Sequence, residues 1–297
     1  MSYETKIILD SVSPAGGRLT TFQFTLPRIV LAEFNTHRMF SRNSASSRAI
    51  PVEKMLARVQ DDPFVPQYWG KNQKGMQADE ELLVGKQRVA QEEWLNARNH
   101  AVDHAKAMLE IGVHKQLTNR LLEPFNWHTI VCTATEYDNY FGLRDHKDAA
   151  PEIRDSAHEA QELYRKNNPL ELEAGAYHLP YVAGYDLDQL LDDFYSPVVL
   201  CNVSIGRCAA VSYVNQENIR DPEGDIKRAV ERLLPGGHMS PFEHVAESLS
   251  REQWREVANE QCRQWVENRV PVGNLWGWHQ VRKKMTNEHN FKLVARQ

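Results

Sequence analysis

The sequence predicts an α+β fold, a central and mostly antiparallel sheet with helices packed on it, and three observations carry that expectation. Residues 5–10 (TKIILD) and 19–26 (LTTFQFTL) are strand-like runs joined by the Pro14-Ala15-Gly16-Gly17 turn, which reads as an opening hairpin. Residues 87–111 form one long amphipathic helical pattern, closed by Gly112. The remaining strand and helix signals lack the rhythm of a parallel crossover sheet, and the chain has neither GxGxxG nor GxxxxGK[ST], so the dinucleotide-binding crossover fold and the P-loop are not indicated.

The elements follow in order. In the second strand Phe22, Phe24 and Leu26 alternate with polar residues, as a half-buried strand does. Pro27 suits the first turn of a helix whose apolar residues are Ile29, Val30, Ala32 and Phe34, and a polar loop begins near Thr36. From 51 to 86 the markers Pro63, Pro66, Gly70, Gly75 and Gly85 indicate irregular connections before the long helix. A strand over Thr129–Thr133, a helix near 136–144 and a helix from Pro151 to about Lys166 come next. Residues 167–200 read as a connection, followed by a strand near 202–213, a helix near 224–234 and a C-terminal helix holding Trp254 and Trp265. No internal repeat appears, and one domain over 1–297 is expected.

Bulk properties narrow the function. With 41% apolar and 25% charged residues the composition is that of a globular protein, and a formal charge of −5 gives no basic field for nucleic acid. No apolar run reaches the roughly 18 residues of a spanning helix, and Met1-Ser2-Tyr3-Glu4-Thr5-Lys6 lacks a signal-peptide core, so neither nucleic acid nor membrane is an expected partner and the cytoplasm is the expected compartment. Cys132, Cys201, Cys208 and Cys262 show no metal or disulfide spacing and read as buried thiols. His100 and His104 share a helix face without a third ligand, so no metal is expected.

The stretch NTHRMFSRNSASSR, residues 35–48, stands apart: one His, three Arg, two Asn and four Ser fall in fourteen positions. Arginine forks match phosphate oxygens bidentately, so such a loop suits a phosphorylated ligand, although Ser, Asn and Arg are also ordinary residues of a solvated loop. A second element has to decide between the two readings.

That element is GVHKQLTNRLLEPFNWHTIVCTATEYDNYFGLR at 112–144. Together the two stretches resemble the flavin-dependent thymidylate synthase family, whose signature is Arg-His-Arg, seven residues, then Ser; here it stands as Thr36-His37-Arg38, MFSRNSA, Ser46. Arg120, Pro124, Thr129 and Asn139-Tyr140-Phe141-Gly142-Leu143-Arg144 match the pattern that follows. A further family element, Gly237-His238-Met239-Ser240-Pro241-Phe242-Glu243-His244, normally precedes the signature but here comes almost two hundred residues after it. The order reads as a circular permutation in which 204–245 is equivalent to the family's N-terminal segment, 167–203 bridges the former termini and 246–297 is an extension. It places His244 beside the 37–48 loop, in a cleft shared with Arg144. The stretch GNLWGWHQVRKKM in the extension reads either as a packed aromatic helix end or as a rebuilt flank of the site.

The resemblance implies a thymidylate synthase-complementing fold and an FAD-dependent methyltransferase that converts dUMP to dTMP, with methylenetetrahydrofolate as carbon donor and NADPH as reductant of the flavin. It implies Glu33, Ser46, Arg48, Arg120 and Arg144 as nucleotide-binding residues, with Arg144 and Ser46 as the catalytic pair, and His37, Arg38, Asn43, Ser44, Asn139 and His244 toward the flavin. It also implies a homotetramer with sites between subunits. No cysteine lies in a Pro-Cys-His setting, consistent with a flavin route. Thr36 replaces an Arg, Ser44 a Glu or Gln, and Glu33 a Gln, whose carboxylate repels a phosphate unless Arg48 or Arg120 neutralises it. The segment from Thr129 to Asn139 is also about three residues short of the family pattern, without equivalents of an Asn and an Arg that help to bind flavin. These departures motivate two alternatives: a flavin and folate enzyme acting at C5 of another pyrimidine nucleotide (hydroxymethylation, dCMP or UMP), and a non-catalytic nucleotide-binding homologue.

Overall fold

The computed structural model describes residues 3–184, 186, 196–213, 221–266, 274–285 and 288, with the backbone alone at 212–213 and 260–266. The opening hairpin is present as β1 (Glu4–Val12) and β2 (Arg18–Pro27), with Val12 opposite Arg18 and Glu4 opposite Thr25. It joins β3 (Ser41–Ser44), β4 (Trp127–Ala134) and β5 (Leu170–Glu171) in a five-stranded sheet of order β3-β4-β2-β1-β5, in which only the β1–β5 pair is parallel. The fold is therefore α+β with a mostly antiparallel sheet, as the sequence predicts.

Strand alternation gives the sheet two faces. Phe22, Phe24 and Leu26 of β2 and Ile130, Cys132 and Ala134 of β4 bury one face against Ile153, Ala157 and Ala160 of the Pro151–Lys166 helix and Tyr140 and Phe141 of the Asp138–Arg144 helix. Pro151 opens its helix where a missing N–H costs nothing, and Arg165 and Lys166 complement the dipole at its end. Each fully buried aromatic ring here stabilises the fold by about 1.5–3 kcal/mol.

Thr21 and Thr133 point to the other face. There Thr21 Oγ1 lies 2.7 Å from Thr133 Oγ1 and 2.9 Å from His178 Nε2, and Thr133 Oγ1 lies 2.8 Å from His244 Nδ1. His178 Nδ1 extends the buried polar chain to Ser11 Oγ at 3.0 Å. This face is covered by the Pro197–Tyr213 helix, the Ser240–Glu243 turn and a second sheet of β6 (Tyr177–His178), β7 (Ala246–Ser248) and β8 (Trp278–Gln280).

Three expectations need correction. The strand expected near 202–213 is the Pro197–Tyr213 helix, whose interior is buried nearly all round and so shows no polar stripe. The loop at 35–48 contains a strand, β3, because Ser41–Ser44 pairs with Ile130–Thr133 of β4. Residues 278–280 of the extension are strand β8, with Trp278 wholly buried, not a helix end. The C-terminal helix is Arg251–Val266; the side chain of Trp265 lies outside the described residues, as does that of Cys262.

A buried charge network ties the covering layer together. Arg207 holds Asp186 through both terminal nitrogens at 2.6 and 2.7 Å and Asp225 through Nε at 3.0 Å, and all three side chains are buried. The Pro197–Tyr213 helix reaches Asp225 only because residue 206 is glycine: a Cβ there would stand 2.3 Å from the Asp225 carbonyl oxygen.

Candidate active site

The signature stretch is shaped first by its own donors. Arg42 Nε donates to Asn35 Oδ1 at 2.7 Å, and its terminal nitrogens donate to the carbonyls of Asn35, His37 and Phe40. One of the three arginines of the stretch thus folds the 35–40 turn. Phe40 and Tyr140 flank the His37 ring at centroid distances of 5.5 and 5.0 Å, and His37 is buried.

Arg144, the last residue of its helix, reaches this turn. Its Nε donates to His37 Nε2 at 3.0 Å, one terminal nitrogen to Glu33 Oε2 at 3.2 Å, and the other to the Glu33 carbonyl at 3.4 Å and Thr36 Oγ1 at 3.2 Å. Burial, then the Arg144 charge, lowers the His37 pKa, with a hydrogen bond to Asn139 acting against them. The ring is neutral, and since Nε2 accepts from Arg144, its proton sits on Nδ1. Glu33 is neutralised by Arg144, not by Arg48 or Arg120 as the sequence suggested.

Glu33 and Arg144 line a groove of about 1110 Å³. Its walls are the 142–152 segment, with Glu152 and Arg154 close by, and a hairpin-like stretch in which Gly70 pairs with Glu81 and Gln77 Nε2 donates to the Asp148 carbonyl. Tyr68 completes the wall, its hydroxyl donating to Asp155 Oδ2 at 2.9 Å under the Arg154 guanidinium.

The other nucleotide-binding candidates form a second group. Arg48 and Arg120 are exposed and Ser46 is half-buried. Asn119 Nδ2 donates to the carbonyls of Ser47 and Ile50 at 2.7 and 2.9 Å, and Ser47 Oγ donates to Glu123 Oε1 at 2.6 Å, so the turn bearing Ser46 and Arg48 lies against the Asn119–Phe125 turn bearing Arg120. Behind them a water-sized cavity of about 20 Å³ is lined by Arg28, Arg58, Glu123 and His128. Burial, aided by Arg28, pushes the His128 pKa down to about 3.

The flavin candidates divide. Arg38 and Asn139 are exposed beside His37, and Ser44 is half-buried on β3. Asn43 is buried, its Nδ2 donating to the Cys208 carbonyl at 2.9 Å. His244 is wholly buried on the opposite face of the sheet from His37 and Arg144, its Nε2 without a partner among the described residues, and burial lowers its pKa to about 3. It does lie near the signature, since Gln280 Nε2 donates both to Ser41 Oγ and to the Glu243 carbonyl at 3.0 Å. A cleft shared with Arg144 is not formed within one chain, because the sheet stands between them.

Two residues escaped the sequence reading. Asn274 accepts from Ser41 Oγ at 3.1 Å and donates to the Met39 carbonyl at 2.6 Å, and Gln280 braces the same serine. The extension therefore buttresses the signature stretch. No motif marks these positions, and only the Gly-rich aromatic setting of GNLWGWHQ set them apart.

A mostly antiparallel sheet carrying an arginine-centred turn beside a groove defines the α+β class of the protein. The sequence model of the thymidylate synthase complementing protein family matches residues 12–170, more than half of the 297 residues, and the chain belongs to that family. No curated protein matches the chain. Among solved structures it is similar to the UMP/dUMP methylase PolB from Streptomyces cacaoi, bound with 5-Br UMP (13% identity, TM-score 0.47, 57% of this chain and 90% of that chain) and with 5-Br dUMP (14%, 0.47, 57% and 91%).

Proposed function

We propose that the chain is an enzyme that adds a one-carbon group at C5 of a pyrimidine nucleotide, with FAD as redox cofactor, methylenetetrahydrofolate as carbon donor and NADPH as reductant, dUMP to dTMP being the reaction its family membership implies. The observation that carries this reading is the convergence of Glu33, Thr36 and His37 on Arg144, which with Glu33 lines a groove large enough for a nucleotide, within the stretch that matches the family.

Ser46, Arg48 and Arg120 supply hydroxyl and guanidinium donors for the phosphate, and the exposure of both arginines leaves them free to reach it. Arg144 and Glu33 present an N–H and a carboxylate oxygen side by side, the complement of a pyrimidine edge, and the Arg144 cation stabilises negative charge on a ring carbonyl as C6 is attacked. His37 keeps Arg144 in place as a neutral acceptor. Ser46, the second catalytic candidate, acts in this scheme through the nucleotide it binds.

A bound flavin would supply the hydride that reduces the transferred carbon. Arg38 and Asn139 fit it, being exposed beside His37; Asn43 and His244, enclosed in this chain, do not. Completion of the site by further copies, in a homotetramer, belongs to the same proposal, and so does the permuted order, with 204–245 as the family's first segment.

A second reading keeps flavin and folate and changes the base or the product, and it is favoured by Glu33, which ties up Arg144. Incubation with dUMP, methylenetetrahydrofolate, NADPH and FAD, with products identified by mass, tests the first reading. Formation of dTMP supports it; an unchanged dUMP pool refutes it.

A further inference from the structure

The arrangement around Arg144 goes further than a generic pyrimidine site. A guanidinium has five N–H groups. Four contacts tie Arg144 to His37, Glu33 and Thr36, leaving one N–H on the terminal nitrogen that also holds Glu33 Oε2. Glu33 keeps its second oxygen uncommitted among the described residues, and its side chain is 42% exposed on the groove wall.

Glu152 lines the same groove, in the first turn of the Pro151–Lys166 helix. It has no ion-pair partner among the described residues. Its carboxyl pKa is raised, by burial first and then by Glu33 and Asp155, with a hydrogen bond from its own backbone N–H acting the other way. The Arg154 charge acts against that rise, but Arg154 is shared with Asp155 at 3.3 Å and with the Tyr68 ring, and Lys147 is exposed. The groove that Arg144, Glu33 and Glu152 line together therefore offers one free guanidinium N–H and two carboxyls.

We infer that Glu33 and Glu152 read a 4-amino group on the base, so that the groove takes a cytosine nucleotide in preference to a uracil nucleotide; the inference rests on the proposed pyrimidine-nucleotide function and names its substrate class. A cytosine edge has an acceptor at N3 and two hydrogens on N4. N3 accepts the remaining Arg144 N–H, and the two N4 hydrogens meet the two carboxyls. A uracil edge matches only in part. Its N3–H can go to Glu33 and its O4 can accept from Arg144, but the second carboxyl is then left against carbonyl lone pairs, an unpaired and repulsive contact. The same chemistry explains why glutamate is tolerated at 33: with an amino group to bind, the carboxylate has a donor besides Arg144.

The test is calorimetric titration of the full chain, saturated with FAD, with dCMP and dUMP, repeated on E33Q and E152Q after circular dichroism has confirmed folding. The wild type is expected to bind dCMP about tenfold more tightly than dUMP, and each variant to lose most of that ratio. Equal affinities, or tighter binding of dUMP, overturn the inference while leaving the pyrimidine-nucleotide function intact. An unchanged ratio in both folded variants overturns the assignment to these residues. Binding of neither nucleotide by the wild type refutes the proposed function, and the inference falls with it.

Discussion

Replacing Arg144 by Gln separates a catalytic role from a structural one. The Glu33–Arg144 pair is half open to water, with side-chain exposures of 42% and 18%, so it stabilises the fold by no more than about 0.2–1 kcal/mol. The contacts to His37, Thr36 and the Glu33 carbonyl add roughly 0.5 kcal/mol each at such a rim. The whole loss is about 2 kcal/mol, which a domain with roughly 5–15 kcal/mol of stability survives. Loss of a donor aimed at developing oxyanion charge lowers kcat by about 10²–10³. The expected outcome is a folded variant, in urea melts, that turns over pyrimidine nucleotide at least about a hundredfold more slowly by mass-resolved initial rates. Removing the cation also raises the His37 pKa, readable by NMR titration, because Arg144 is the second cause of its depression. A rate within about threefold of the wild type, or a rate loss that only follows lost folded protein, refutes the catalytic role.

Other outcomes follow from the same structure. His128, His178 and His244 are held neutral in the fold with pKa values pushed down to about 3, so the unfolded chain binds their protons first. The stability they contribute is present above about pH 6.5 and is lost as the pH falls toward 3, at up to about 1.4 kcal/mol per pH unit for each; urea midpoints at stepped pH should fall steeply below about pH 6, and a flat profile contradicts this. Arg207→Met leaves Asp186 and Asp225 as buried carboxylates without that partner and should cost about 3–5 kcal/mol in urea unfolding, against less than about 1 kcal/mol if the network is incidental. Gly206→Ala drives a Cβ to 2.3 Å from the Asp225 carbonyl and should cost about 1–3 kcal/mol in the same assay. Sedimentation at micromolar concentration should give a tetramer; a monomer contradicts a site completed by further copies.

What was legible in the sequence was whatever local chemistry decides. Alternation in LTTFQFTL predicts β2, and the helix expected from Pro151 to about Lys166 matches the observed Pro151–Lys166. The Pro197–Tyr213 helix reads as a strand in the sequence because its interior is buried on nearly all sides, which erases the 3.6-residue stripe and leaves an apolar run that suits either structure. Strand β3 has four polar residues, SRNS, and exists through its ladder with β4, a tertiary fact. For the same reason the chemistry of Glu33 was half visible. The departure from Gln is in the sequence, but its pairing with Arg144 is a contact across 111 positions. His244 was assigned by motif, and strand alternation around Thr133 puts it behind the sheet.

The central claim is that the signature stretch and Arg144 together bind a pyrimidine nucleotide. Crystals soaked with a 5-bromo pyrimidine nucleoside monophosphate and measured at the bromine absorption edge test it most directly. The account predicts an anomalous peak in the groove beside Arg144 and Glu33, with the phosphate at Ser46, Arg48 and Arg120. A nucleotide bound elsewhere, with Arg144 still closed on Glu33 and His37, would contradict it.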